Sequence, residues 1–291
     1  MRPVMRDEEF VLPGASGAVS FPAGASFRSK GAIGRASTKF FPSRRETTAL
    51  GLLTAASIVF VAGILRGMTG FGFALVAAIG LAHVWPPAMA TPVVLLLELV
   101  VAVVLLYGLD RAAIEPRRLV RLCLGGVAGT AIGTLMVSGL PAAWAKPALD
   151  TAVFVSALAA LAHVSAPRLD TPAWAAAVGF LVGLFAGAFA VGGPFVVVWF
   201  LAVGAQPAAI RANLIVFFAV VDFAAVAFRW PTIGIPADAW GHAAMLLPPA
   251  FLGTWAGGLL FRRVNAAWWR RIAAYSIAGG AVLSLARSLL S

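Results

Sequence analysis

The chain has 291 residues, 61% of them hydrophobic and only 11% charged, with a mean hydropathy of +0.95. No soluble domain of that size hides so much apolar surface, so lipid is the solvent for most of the sequence. The formal charge of +11 collects in a tail and at the ends of apolar segments, where lipid headgroups and positive-inside bias account for it and nucleic acid does not.

Residues 1–46 carry eight Lys or Arg against four acids, with scattered Gly, Ser and Pro and no sustained period. They read as a disordered basic tail, or as residues added by an upstream start codon, and they lack the apolar core of a secretory signal. Apolar segments then follow closely. The first membrane repeat, 47–165, contains A (48–84), B (88–107), C (118–140) and D (144–164). The second, 166–291, contains A′ (172–204), B′ (208–228), C′ (240–261) and D′ (268–290). B, C, D and their partners each have the roughly 20 residues of one span. A and A′ do not fit one span, because at about 1.5 Å per residue each far exceeds the hydrocarbon core. Each has to break and then turn back or cross again.

The breaks fall at glycines that recur between the halves. Gly63, Gly67 and Gly72 match Gly183, Gly187 and Gly192 at an offset of 120, and Pro87 and Thr91 match Pro207 and Arg211. Gly129-Thr130, Gly133 and Trp144 recur as Gly253-Thr254, Gly257 and Trp268 at an offset of 124. Broken backbone inside a membrane is tolerated only against protein or a water-lined cavity, so broken segments at matching places point to a transporter site between the repeats. The expected fold is all-α and polytopic, with two repeats of about four apolar segments, each opening with a glycine-broken segment.

Charge tests this arrangement. One basic loop holds Arg111, Arg117, Arg118 and Arg121, and another holds Arg262, Arg263, Arg270 and Arg271. If A′ returns as a hairpin, both loops share the cytoplasmic face and the repeats are inverted. An equivalent hairpin in A places the basic tail on the opposite face, so the charges leave A open between one crossing and a return.

The candidate residues follow from the same map. The small-x-x-x-small strings, Gly63 to Gly67, Gly183 to Gly187, Gly125 to Gly133 and Gly253 to Gly257, read first as close helix packing. Gly70, Gly72, Gly192 and Gly193, with Pro194, go further: they permit turns that leave N–H groups free to face an anion. Arg66 lies at the first break, where a charge is costly unless it pairs, meets water or snorkels to the interface. Arg211 opens B′ where Thr91 opens B, and Asn213 follows it. Glu98 in B and Asp222 in B′ are acids within spans, suited either to a coupling proton or to a structural ion pair. Thr91 and Glu98 share one face of B, as Arg211 and Asp222 share one of B′. Trp85, Tyr107, Trp144, Trp230, Trp240, Trp268 and Trp269 read as interfacial belts.

The glycine-broken segments, the Pro-x-x-x-(Thr/Arg) starts of B and B′ and the Arg211-Ala212-Asn213 string resemble the sulfite exporter TauE/SafE family of membrane permeases. The resemblance spans about residues 50–290 and implies movement of sulfite, sulfonates, sulfoacetate or related small anions. The first copy departs from the family pattern: Phe71-Gly72-Phe73 stands where a Gly-Gly pair is common, and Arg66 adds a cation.

Three readings compete. A secondary permease for a small anion in the inner, cytoplasmic membrane accounts for repeats, breaks and intramembrane charges together. A scaffold protein of the bilayer predicts packing glycines but not duplicated breaks with charge beside them. An intramembrane enzyme lacks a Gly-x-Ser-x-Gly or His-Glu-x-x-His string in the membrane part. The one cysteine, Cys123, excludes a disulfide framework and a cysteine-rich metal site. The sequence therefore predicts no catalytic residue, metal or cofactor, and its partners are the anion and membrane lipids.

Overall fold

The computed structural model describes residues 44–139 and 165–290, which form nine α-helices and no strand. In chain order these are α1 (Arg44–Thr69), α2 (Phe73–Leu81), α3 (Pro87–Tyr107), α4 (Pro116–Gly139), α5 (Pro172–Phe189), α6 (Gly193–Ala202), α7 (Pro207–Thr232), α8 (Ala237–Phe261) and α9 (Ala266–Leu290). Six of them, α1, α3, α4, α5, α7 and α8, are long and apolar enough to cross a membrane. Segment D and residues 1–43 of the tail lie outside the described residues.

Helix starts follow local chemistry. Proline opens α3, α5, α6 and α7, where its missing N–H would have had no intrahelical partner. Thr171 caps α5 by accepting from the N–H of Trp174 at 3.3 Å. α7 runs on to Thr232, past the Arg229-Trp230-Pro231 string at which the apolar segment B′ ends.

Both long segments break where the glycines predict. Segment A divides into α1 and α2 across Gly70 and Gly72, which hold φ of 85° and 89°. Those values suit glycine and are costly for residues with a Cβ. Segment A′ divides into α5 and α6. Ala190, which matches Gly70 at the 120 offset, also takes a positive φ, 59°.

Each short helix folds back along the longer one before it. A Cβ added at Gly80 would strike the side chain of Ile58, and one added at Gly51 would lie 3.7 Å from Val84. The end of segment A thus comes back beside the start of α1. In A′, Ala166 N–H donates to the Ala202 carbonyl at 2.8 Å, and Trp199 Nε1 donates to the Leu169 carbonyl at 3.1 Å. The question that charge left open for segment A is answered by a return.

These returns bring the two basic loops to one end of the bundle. Arg118 pairs with Asp170 at 2.6 Å, Ala166 meets Ala202, and Arg270 donates to the Ala205 carbonyl at 3.0 Å. The Trp85–His242 and Trp230–Trp240 ring contacts join the chain reversals at the ends of α2 and α7 to the start of α8.

The glycine strings form two seams. Along α1 and α8, a Cβ at Gly67 would collide with the Thr254 carbonyl oxygen, and one at Gly253 with that of Phe60. Along α4 and α5, a Cβ at Gly183 would collide with the Gly126 carbonyl oxygen, and one at Gly129 with that of Phe180. Backbones approach this closely only without side chains between them, which is how helices gain contact when lipid supplies no hydrophobic drive. Segment A therefore packs on C′ through α1 and α8, and A′ on C through α5 and α4.

One expectation is corrected. Trp268 is exposed as a belt residue would be, but Trp269 is 1% exposed and donates Nε1 to the Met68 carbonyl at 3.2 Å. The end of α1 offers an unpaired carbonyl there, and the indole satisfies it while filling the core.

Candidate functional site

Arg66 sits in the last turn of α1, Glu98 near the middle of α3 and Asp222 near the middle of α7. Their fractional exposures are 0%, 4% and 2%. Arg66 Nη1 lies 3.6 Å from Glu98 Oε1, and Nη2 donates to Asp222 Oδ2 at 3.5 Å. The guanidinium also lies over the Phe218 ring, 4.8 Å from its centre. Full burial excludes the snorkelling reading of Arg66. A buried charge of this kind costs several kcal/mol unless paired, and here it joins three helices.

Helix ends support the same charges. A cation in the last turn of α1 meets the negative end of that helix dipole. Glu98 Oε1 accepts the N–H of Ala74 at 3.2 Å, so a carboxylate faces the positive end of α2. Asp222 has no such second partner among the described residues; its contact is Arg66. Two carboxylates thus share one guanidinium. Arg66 keeps Nε and Nη1 without a hydrogen bond, although both are buried.

Those atoms border a small cavity between the two breaks. Gly72, Ala74 and Leu75 line it from the first break, and Val191, Gly192, Gly193 and Pro194 from the second. Phe218, Ala186, Glu98 and Asp222 complete much of its wall, and about 10 Å³ is open to a water-sized sphere. That is room for one water and not for an oxyanion. The N–H groups of Gly193 and Phe195, at the start of α6, have no hydrogen-bond partner among the described residues.

The sequence candidates divide on this geometry. Arg66, Gly72, Gly192, Gly193, Glu98 and Asp222 come together at the cavity. Arg211 does not join them: its Nε and Nη2 donate to the Gly67 carbonyl at 3.0 and 2.8 Å, and its guanidinium stacks 4.6 Å from the Phe261 ring centre. Gly70 packs against the backbone of Arg211. Asn213 takes the N–H of Glu115 at 3.2 Å and donates to the Ala209 carbonyl at 2.8 Å, tying the start of α4 to α7. Thr91 is half-buried in the first turns of α3, away from the cavity lining.

Sequence reasoning overlooked Phe218 as a site residue. Its signal was available, because it lies four residues before Asp222 and so shares a helix face with it. It also overlooked Arg229, a buried arginine in the last turn of α7 whose Nε makes no hydrogen bond.

Two broken helices that return on themselves, six candidate spans and a buried polar cluster between the breaks define a multi-span helical membrane protein. The chain belongs to a transporter family, that of the sulfite exporter TauE/SafE, whose model matches residues 55–283. Comparison with curated proteins and with solved structures gives no match.

Proposed function

We propose that the chain is a secondary permease for a small oxyanion, a sulfite, sulfonate, sulfoacetate or carboxylate, bound between the two breaks. The observation that carries this reading is the pairing of Arg66, buried with free N–H groups, and the uncapped start of α6 across one cavity. A guanidinium and the N-terminus of a broken helix are complementary to an anion from two sides. The open space is too small for the substrate, so α2 or α6 has to move to admit the anion. Family membership supports small anions as the class of substrate.

The topology that goes with this reading is an inverted repeat in the cytoplasmic membrane, with both basic loops inside. Its support is the return of α2 and α6 and the shared end of the two loops. Single cysteines placed at Ala112 and at Asn265 in a Cys123→Ala background should both resist an impermeant thiol reagent on intact cells. Labelling of either one from outside would reject the arrangement.

The function itself is tested in proteoliposomes with radiolabelled sulfite, sulfoacetate, methanesulfonate and acetate. Saturable uptake of at least one, lost in Arg66→Gln, is expected. Flux equal to that of empty liposomes across the panel would overturn the permease reading.

A further inference from the structure

We infer that Asp222 is the site of a cotransported proton, which has to bind before Arg66 can hold the anion. The inference rests on the permease reading and adds its coupling. It starts from a count of charge. Among the described residues lining the cavity, only Arg66, Glu98 and Asp222 are charged; α2, α5 and α6 bring no titratable side chain to it. With all three ionised, the site carries one net negative charge. A monovalent anion would raise that to two in a cavity with room for a single water. Unscreened like charges at such spacing cost several kcal/mol, so the anion is excluded from the fully ionised site.

A proton on one carboxylate removes the obstacle. The bound anion then replaces the charge that the carboxylate loses, and the site keeps its net charge of one. Geometry says which carboxylate yields. Glu98 has two partners, Arg66 at 3.6 Å and the Ala74 N–H at 3.2 Å. Asp222 has Arg66 alone, at 3.5 Å. Protonating Asp222 therefore gives up one contact and frees Nη2 beside the Nε that already lacks a partner. The guanidinium can then present two parallel N–H groups to two oxygens of a sulfonate or carboxylate.

The step balances. One proton joins the Asp222 carboxylate, one monovalent anion joins Arg66, and both leave together on the other side. Transport of a monovalent anion is electroneutral and follows the summed gradients of anion and proton. A divalent anion requires a second proton, for which Glu98 is the remaining acceptor.

The test is calorimetry of methanesulfonate binding to purified protein in buffers of different ionisation enthalpy. The acid of methanesulfonate is too strong to bring its own proton, so any uptake belongs to the protein. Wild type should take up close to one proton per anion. Its affinity should fall about tenfold per pH unit over the range in which Asp222 is ionised, because one proton is linked to one anion. Asp222→Asn should bind with no proton uptake and no such slope. It should also lose accumulation driven by a pH gradient while keeping counterflow exchange. Glu98→Gln, whose side-chain oxygen can still accept from Ala74, should retain the uptake. Anion binding by wild type without proton uptake overturns the inference even if Asp222→Asn does not fold, and so does uptake that persists in Asp222→Asn. Absence of binding by wild type across sulfite, sulfoacetate, methanesulfonate and acetate fails the permease reading itself, and this inference with it.

Discussion

The two breaks are built from matching positions but finished differently. At the first, Gly70 and Gly72 supply the positive φ values, and the exposed start of α2 receives a carboxylate from within the protein, Glu98 on the Ala74 N–H. At the second, Ala190 takes the left-handed conformation that Gly70 takes in the first. The residue matching Glu98 is Phe218, and among the described residues no carboxylate hydrogen-bonds the start of α6. Gly193 stands where the first copy has Phe73, leaving the backbone open to the cavity. One helix end is already neutralised, and the other borders the same cavity as Arg66 with no partner among the described residues. On the proposed reading, Glu98 at α2 is an internal picture of the anion that would bind at α6, and only the second of the two breaks keeps a place for it.

The comparison breaks most sharply if a carboxylate is supplied at the second helix end as well. Phe218→Glu should block the substrate place; like charges set together cost several kcal/mol, so affinity falls by roughly a hundredfold or more. Phe218→Leu, which removes only stacking on Arg66, should cost about 0.5–2 kcal/mol. Equal binding by the two variants in calorimetry would show that the start of α6 does not hold the anion.

Arg66→Gln should come next, with a loss of roughly 30–150-fold from one charge-assisted bidentate contact of about 2–3 kcal/mol. It also leaves two buried carboxylates without their cation, so thermal stability should fall with it. Arg66→Lys keeps the charge without the planar fork and should lie between Gln and wild type. Unchanged affinity in both, with intact folding, would leave Arg66 a purely structural partner of the two acids.

The glycines of the second break should separate from each other. A Cβ at Gly192 would collide with the carbonyl oxygen of Val182, so Gly192→Val should lower stability as well as transport. At Gly193 the nearest atom is the Phe71 ring at 3.2 Å, which can shift. Gly193→Ala should therefore insert and fold, and lose affinity severalfold. The smallest effect is expected from Ala190→Gly. Relief of a left-handed alanine is worth about 1 kcal/mol, so a rise of a few degrees in melting temperature should accompany unchanged substrate affinity.

Six spans and both breaks were legible in the sequence because composition and glycine spacing act locally. An apolar run of given length either fits the bilayer or does not, and a glycine cluster in its middle marks where it turns. The meeting of Arg66 with two acids was legible only as three residue types that need partners in lipid. Which carboxylate each N–H takes depends on how α1, α3 and α7 cross, and no local pattern encodes that. Arg211 and Asn213 illustrate the limit. Both look like site residues beside a proline-led helix start. Their hydrogen bonds reach Gly67 and Glu115, which are 144 and 98 residues away in the chain. Trp269 misled for a related reason, since its neighbour Trp268 does what both residues promised.

The smallness of the cavity bears on energy conservation in the cell. A carrier that exposes ionisable groups at mid-membrane risks becoming a wire for protons, because a continuous file of water would let them hop through without cargo. Here about 10 Å³ beside Arg66, among Phe218, Leu75 and Val191, is open to a water-sized sphere, which leaves no room there for such a file. On the permease reading, that apolar lining is what would keep protons from crossing without cargo.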